Sequence, residues 1–396
     1  MPRRHDQHAG RVRSPENPRA APMKILVLCY EYPPLGGGGG RVAQSIAAEM
    51  VKRGHEVRVQ TAALGWRSIH ETIGGVKIYR TASGRRAPDT CRVHEMAAYC
   101  ATSFSPTLGH IRTWKPDVIH AHFAMPTGLL AWAVHRLTGV PYVLTAHLGD
   151  VPGGVPEQTA ALFKIIGPIA RQVWSRAAAA TAVSSFVQEL AERAYGRKVE
   201  RILNGIDLSD SAPPEMRRER HLVFVGRLNP QKRPVFLIDA LTRLQAEHWK
   251  LTIIGDGPLM AEVRRRIREL RIESRVTATG WLEAAEVQRV LREADILCMP
   301  SESEGLPVAA IEALKNGLAI VGSDIPGMAD VVDSGVNGYL VPPNDAAAFA
   351  HKLDWLLRNE NTLLAMKRAS WEKARAFDLT RIAGEYEHVL RSAARR

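Results

Sequence analysis

The stretch "MKILVLCYEYPPLGGGGGRVAQSIAAEMVKRGH", residues 23 to 55, passes from a continuous apolar run through a Pro- and Gly-rich turn into an amphipathic pattern closed by Gly54. An uninterrupted apolar run suits a strand buried on both faces, and the following 3.6-residue periodicity suits a helix packed over it. The unit therefore reads strand, loop, helix. Further strands follow in "EVRVQTAA", "KPDVIHAHF", "PYVLTAH" and "AAAATAVS", with the helical "GLLAWAVHRLTG" among them. Buried strands alternating with helices imply a parallel sheet covered on both faces.

The pattern restarts after the polar stretch Ser209 to Arg220, with strands in "HLVFVGRL", "KLTIIGDG", "RVTATGW", "ADILCMPS" and "AIVGSD" separated by amphipathic segments. A chain of 396 residues with 45% hydrophobic content is long enough for two cores. The expected architecture is thus α/β, two Rossmann-like, doubly wound parallel-sheet domains facing each other across a cleft. The first covers residues 23–208 and is completed by a C-terminal helix at about 377–396, while the second covers residues 209–376. Ligands of such sheets bind beyond the carboxyl ends of the strands. Residues 1–22 are Arg- and Pro-rich without apolar periodicity, which predicts a disordered tail and makes Met23 a second candidate start.

Composition narrows the function. Lys and Arg number 53 against 41 Asp and Glu, a balance of +12 that favours anionic partners. With aromatics at only 6%, stacking platforms for single-stranded nucleic acid are scarce, so no nucleic-acid partner is expected. Four cysteines, Cys29, Cys91, Cys100 and Cys298, form neither a C-x-x-C pair nor a zinc spacing. No apolar run reaches the roughly 18 residues of a membrane span and no secretory signal is present, so a cytoplasmic location is expected.

Chemistry concentrates at strand ends. Gly36 to Gly40 lie where a strand meets a helix, the position at which free N–H groups and the helix dipole favour an anion. A dinucleotide fold would also need an acid at the end of the next strand, and "VQTAALGW" offers none. In "VGRLNPQK", Arg227 and Lys232 follow a strand at the predicted cleft, where two fixed cations suit a departing diphosphate. "GDGP", residues 255–258, reads as a turn in the cleft wall.

In "PSESEGLPVAAIEALKNG", residues 300–317, Pro307 suits the first turn of a helix, so Gly305 and Leu306 present N–H groups at its positive end. Glu304 stands beside that end, placed to accept hydrogen bonds from sugar hydroxyls. Glu312 lies among Val308, Ala309, Ala310, Ile311, Ala313 and Leu314, where a carboxylate is costly without a partner and the two hydroxyls of a ribose would serve. His147 ends an apolar strand at the same cleft and is able to donate to a sugar hydroxyl. His120 and His122 alternate along one strand and share a face, as a metal pair or, with no third ligand in sequence reach, as a structural pair beneath the cleft.

These residues in this order resemble the retaining glycosyltransferases of family 4, which have the two-domain GT-B fold. "SESEGLPVAAIEALKNG" looks like their E-x7-E signature, and the glycine run, "DVIHAHF", "TAHLGD", "ILNGID", "VGRLNPQK" and "IIGDGP" fall in matching order from Met23 to the C-terminal helices. The resemblance implies that Glu304 contacts the donor sugar, Glu312 the ribose, and Arg227 with Lys232 the diphosphate, with backbone donors from Gly305 and Leu306. It places Gly38 and Gly39 near the phosphates or acceptor and His147 near the reacting face of the sugar. Leu148 departs from the family's His-Gly or His-Asp, and Asp150 carries no role. The activity implied is retaining, metal-independent transfer of a sugar from a nucleotide-diphosphate sugar to an acceptor hydroxyl, in polysaccharide or glycolipid biosynthesis, with no cofactor.

Two alternatives remain open from sequence: a GT-B epimerase or phosphorylase of sugar nucleotides, and a non-catalytic nucleotide-binding or membrane-scaffold protein. Arg85, Arg86, Arg92, Arg112 and Lys115 form a basic set in the first domain. That set fits either a solvated face or peripheral contact with an anionic membrane carrying a lipid-linked acceptor.

Overall fold

The computed structural model describes residues 21–88, 90–216 and 220–395, so most of the expected disordered tail lies outside the described residues. The first sheet has eight strands: β1 (Lys24–Leu28), β2 (Glu56–Leu64), β3 (Ile69–Ile73), β4 (Val76–Arg85), β5 (Val118–His122), β6 (Tyr142–Ala146), β7 (Ala179–Ala182) and β8 (Glu200–Arg201). Their spatial order is β3-β4-β2-β1-β5-β6-β7-β8, parallel throughout except for the β3–β4 pair. Helices α1 (Gly38–Lys52), α2 (Val93–Trp114), α3 (Leu129–Thr138), α4 (Pro156–Arg176) and α5 (Ser185–Tyr195) connect these strands.

The second sheet is parallel and six-stranded: β9 (Arg220–Val225), β10 (Trp249–Ile254), β11 (Val276–Gly280), β12 (Ile296–Met299), β13 (Ala319–Ser323) and β14 (Gly338–Val341), ordered β11-β10-β9-β12-β13-β14. Its helices are α6 (Pro234–Leu241), α7 (Met260–Glu269), α8 (Ala284–Glu293), α9 (Val308–Lys315), α10 (Ala346–Arg358) and α11 (Glu360–Lys373). Both units are doubly wound, and the chain has the GT-B architecture of two such domains. Strands β5, β6 and β13 are buried at every position, which is why each reads as a mainly apolar run, interrupted in β5 by His120 and His122.

The last helix, α12 (Leu379–Ala394), returns to the first domain and packs on α1, β5 and β6. Its buried face, including Ile382, Tyr386 and Leu390, joins the core formed by β1 and α1. The two passages of the chain between domains are bonded to each other. The Ile206 N–H donates to the Phe377 carbonyl at 2.8 Å, and the Leu379 N–H donates to the Ile206 carbonyl at 3.0 Å.

The sequence pattern misplaces one helix start. The glycine run is not wholly loop: Gly36 is left-handed at φ +85°, Gly37 caps α1, and Gly38 to Gly40 form its first turn. Close packing explains why no side chain fits there. A Cβ on Gly40 would sit 1.7 Å from the Glu31 carbonyl oxygen.

Candidate functional site

A single cleft between the domains is lined by Gly38, Gly39, His147, Arg227, Lys232, Glu304, Gly305, Leu306 and Glu312. The fold thus brings all nine residues singled out in the sequence to one groove. The first domain contributes the start of α1 and the end of β6, and the second contributes the ends of β9 and β12 and the start of α9. Pro307 occupies the N-cap of α9, with φ −71° and ψ 115°, one position earlier than the first-turn placement expected for it. Gly305 and Leu306 nonetheless immediately precede the helix.

Two helix N-termini therefore meet across the cleft. A Cβ on Gly38 would lie 3.1 Å from Val308 Cγ2, so the first turn of α1 abuts the first turn of α9. The first N–H groups of each helix have no acceptor within it and carry the positive end of its dipole. Arg227 adds charge at the same place, its Nη2 3.5 Å from where a Gly37 Cβ would stand. An anion entering here meets protein cations and helix ends from both sides.

The acids are held rigidly. Glu304 is buried, and its Oε1 lies 2.5 Å from Lys232 Nζ. The loop around Glu304 is tied to the short turn Pro230–Lys232 by Gln231, which donates through Nε2 to the Ser303 carbonyl at 2.9 Å and accepts the Glu302 N–H at 2.8 Å. Gly327 presses on the other side, where a Cβ would come within 1.8 Å of the Glu304 carbonyl oxygen. Glu312 projects from α9 with its side chain 14% exposed, and Arg41 Nη1 of the first domain lies 4.0 Å from Oε1. Burial pushes this carboxyl up, while Arg41 and Lys315 pull it back.

His147 is buried at the end of β6 and stacks on Phe123 at 4.4 Å between centroids. Burial pushes its imidazole down to about 4, so the ring is neutral at physiological pH. Asp150, left without a role by the sequence, braces it. Its carboxylate accepts the His147 backbone N–H at 2.8 Å and those of Ala124 and Met125. Burial raises the Asp150 carboxyl to about 7 against those hydrogen bonds.

His120 and His122 lie below this ring, their centroids 4.2 Å apart. His120 Nε2 pairs with Thr145 Oγ1 at 2.9 Å, and its ring packs near Tyr386 of α12 at 5.3 Å. Among the described residues no cluster of three or more His, Cys, Asp or Glu is arranged to hold a metal ion.

The structure corrects one expectation. Arg85 belongs to no solvent-facing basic set: it is fully buried, and its guanidinium donates to the carbonyls of Tyr30, Ala87 and Pro88. Arg85 thereby braces the loop carrying the glycine run, through the Tyr30 carbonyl and through the Pro88 carbonyl, which also accepts the Gly36 N–H at 2.6 Å. Arg86, Arg92, Arg112 and Lys115 are exposed.

Comparison with known proteins identifies this architecture. The description "Glycosyltransferase Family 4" matches residues 36–210 and "Glycosyl transferases group 1" matches residues 209–373, so together they span residues 36 to 373. The chain belongs to the family 4, group 1 glycosyltransferases. An uncharacterized glycosyltransferase of Methanocaldococcus jannaschii is 27% identical over 85% of this chain and 89% of its own length. A phosphatidyl-myo-inositol mannosyltransferase of Mycobacterium leprae is 27% identical over 94% and 97%. Among solved structures, a sucrose-phosphate synthase from Thermosynechococcus elongatus superposes with a TM-score of 0.81 at 20% identity, covering 93% of this chain and 98% of that one. Anabaena HepE in complex with UDP-glucose gives 0.74 at 19% identity, covering 93% and 100%.

This glycosyltransferase also lines its cleft with residues to which the sequence assigns no role. Arg41 follows the glycine run, Asn204 donates through Nδ2 to the Leu306 carbonyl at 3.1 Å across the domains, and Trp281 stands 55% exposed at the rim. An Arg in a helix and an Asn after a strand are commonplace in sequence, and only the meeting of the two domains marks them.

Proposed function

We propose that this glycosyltransferase moves a sugar, with retention at the anomeric carbon, from a nucleotide-diphosphate sugar to an acceptor hydroxyl on a polysaccharide or glycolipid. The observation that carries the reading is the convergence of Arg227, Lys232 and the starts of α1 and α9 on one cleft that also holds Glu304 and Glu312. Fixed cations and dipoles placed where charge develops stabilise a departing diphosphate. Arg227, Lys232 and the helix ends take that part, and no divalent ion is assigned to it. Glu304 orients the sugar hydroxyls, Glu312 grips the ribose, Gly305 and Leu306 offer backbone donors to the phosphates, and neutral His147 donates to a hydroxyl near the reacting face.

In the transfer step the bond from the anomeric carbon to the diphosphate oxygen breaks, and a bond to the acceptor oxygen forms on the face just vacated. The acceptor proton passes to the departing phosphate. Relatives support the substrate class: one is named a phosphatidyl-myo-inositol mannosyltransferase, and HepE was crystallised with UDP-glucose. The test is a panel of UDP-, GDP- and ADP-sugars scored by thermal shift and slow hydrolysis, followed by product analysis with acceptor. One donor should raise the melting temperature and turn over, with the same rate in EDTA. A panel without any stabilisation, or a rate abolished by EDTA, would overturn this assignment.

A further inference from the structure

A second concavity lies on the first domain outside the cleft, between α2, the start of α3 and α4, and its walls are apolar: Val93, Met96, Cys100, Phe104, Met125 and Ile166 among them. Apolar side chains spill beyond it into solvent, with Val93 61% exposed, Ile165 79% and Ile169 45%. On α4, residues 162, 165, 166 and 169 fall within one arc at 100° per residue, so the exposed isoleucines extend the groove as a continuous stripe. A soluble surface seldom keeps so much connected apolar area uncovered.

Among the described side chains of α2 and α4, exposed charge has one sign. Residues 96–111 of α2 contain no Asp, Glu, Lys or Arg. Among the described side chains of α2 and α4, the one acid, Glu95, is buried and caps its own helix. Arg86 and Arg92, at the end of α2 beside Val93, are exposed, as is Arg112 at its far end, while the exposed Lys164 and Arg171 of α4 lie about 180° round that helix from the apolar stripe. An apolar strip with cations at one end and, among the described side chains of its two long helices, no exposed acid complements a surface with an oily interior and anionic headgroups.

The groove and the cleft share a wall. Met125 and Pro126 line the groove, and Cys100 Sγ reaches the Pro126 carbonyl at 3.4 Å. Two residues earlier, Phe123 stacks on His147 inside the cleft. Asp150 binds the N–H groups of Ala124 and Met125 as well as that of His147, so the segment that walls the groove is fixed to the cleft histidine.

We infer that this groove seats the hydrocarbon chain of a lipid held in an anionic membrane, delivering a lipid-borne acceptor hydroxyl to His147. The inference rests on the transfer function proposed above and adds the chemical class of the acceptor.

Flotation of the full-length protein with vesicles of phosphatidylglycerol and phosphatidylcholine tests it, alongside I165D/I169D and, as a groove-filling variant, A101W. The aspartates replace exposed residues, so both the fold and the nucleotide-sugar thermal shift should match wild type. Vesicle affinity should fall by about tenfold or more in I165D/I169D, since two apolar side chains leave the bilayer and two like charges face it. Wild-type protein that fails to float, variants that float equally well, or a dimer in light scattering that I165D/I169D dissolves without any vesicle binding would each overturn the inference. Because vesicle binding and the nucleotide shift are separate readouts, a chain that floats through Ile165 and Ile169 yet shows no shift supports the groove while counting against the transfer function.

Discussion

Lys232 Nζ sits 2.5 Å from Glu304 Oε1, and the two side chains come from different loops at the ends of β9 and β12. The pair neutralises a carboxylate that is only 6% exposed. Removing the lysine alone leaves a buried charge uncompensated, so Lys232→Ala should cost about 3 kcal/mol of stability as well as activity. Glu304→Gln should keep the melting temperature near wild type while lowering turnover by about 10²- to 10³-fold. The double variant K232A/E304Q should recover most of the stability and none of the activity. Chemical denaturation paired with initial rates separates these outcomes, and equal stability losses for the two single variants would refute the coupling.

Neighbouring glycines should behave differently. A Cβ on Gly39 would come within 2.5 Å of Phe123 Cζ and 3.2 Å of His147 Nδ1, whereas one on Gly37 would meet only Arg227 Nη2 at 3.5 Å. Gly39→Ala must displace the Phe123–His147 stack and should cut turnover by about 10²-fold, while Gly37→Ala should retain most of it. Rates measured at saturating donor decide the matter, and equal tolerance at both positions would contradict the packing.

Acid should weaken the fold. His120, His122 and His147 are buried and neutral, with burial pushing His120 to about 3, His147 to about 4 and His122 well below its usual range. Once unfolded, each takes up a proton below about 6.5, so each favours unfolding by up to about 1.4 kcal/mol per pH unit between there and its folded value. Asp150 works in the opposite direction. Folded, it keeps a proton up to about 7, so the stabilisation it provides is complete below the unfolded value of 3.8 and is lost as pH rises through 7. Three groups outweigh one, and melting temperature should fall from pH 6.5 to 4. Asp150→Asn should steepen that fall, and a flat profile between those limits would refute the assignment of three neutral imidazoles.

Arg85 offers a stability test away from the cleft. In Arg85→Ala the Tyr30 and Ala87 carbonyls lose this donor while Pro88 keeps the Gly36 N–H, which should cost about 3 kcal/mol and loosen the loop before α1. Arg86→Ala, at an exposed neighbour, should change stability by less than about 0.5 kcal/mol. Urea midpoints for the two variants make the comparison.

Much of the architecture is visible in the sequence because parallel strands are buried on both sides and read as apolar runs. The exceptions share a cause. Strand β4 buries Arg80, Thr81, Ser83 and Arg85, so its inward positions look polar, and its partner β3 is exposed at four of five positions. Helix α2 carries too few charges to show a polar face. Glu304, Glu312, Arg227 and Lys232 stand out because acids amid apolar residues and cations at strand ends break local patterns. Arg41, Asn204 and Trp281 break none, and their place depends on how the two domains meet.

The hydrogen bonds that join Ile206 to Phe377 and Leu379 bind the outgoing and returning passages of the backbone at one spot. A single connecting thread would let the lobes twist, slide or drift apart. Two threads knotted together leave one easy freedom, a nodding rotation about that spot, and so parting Arg227 from the glycines of α1 to admit a ligand must swing the entire second lobe like a jaw on its joint.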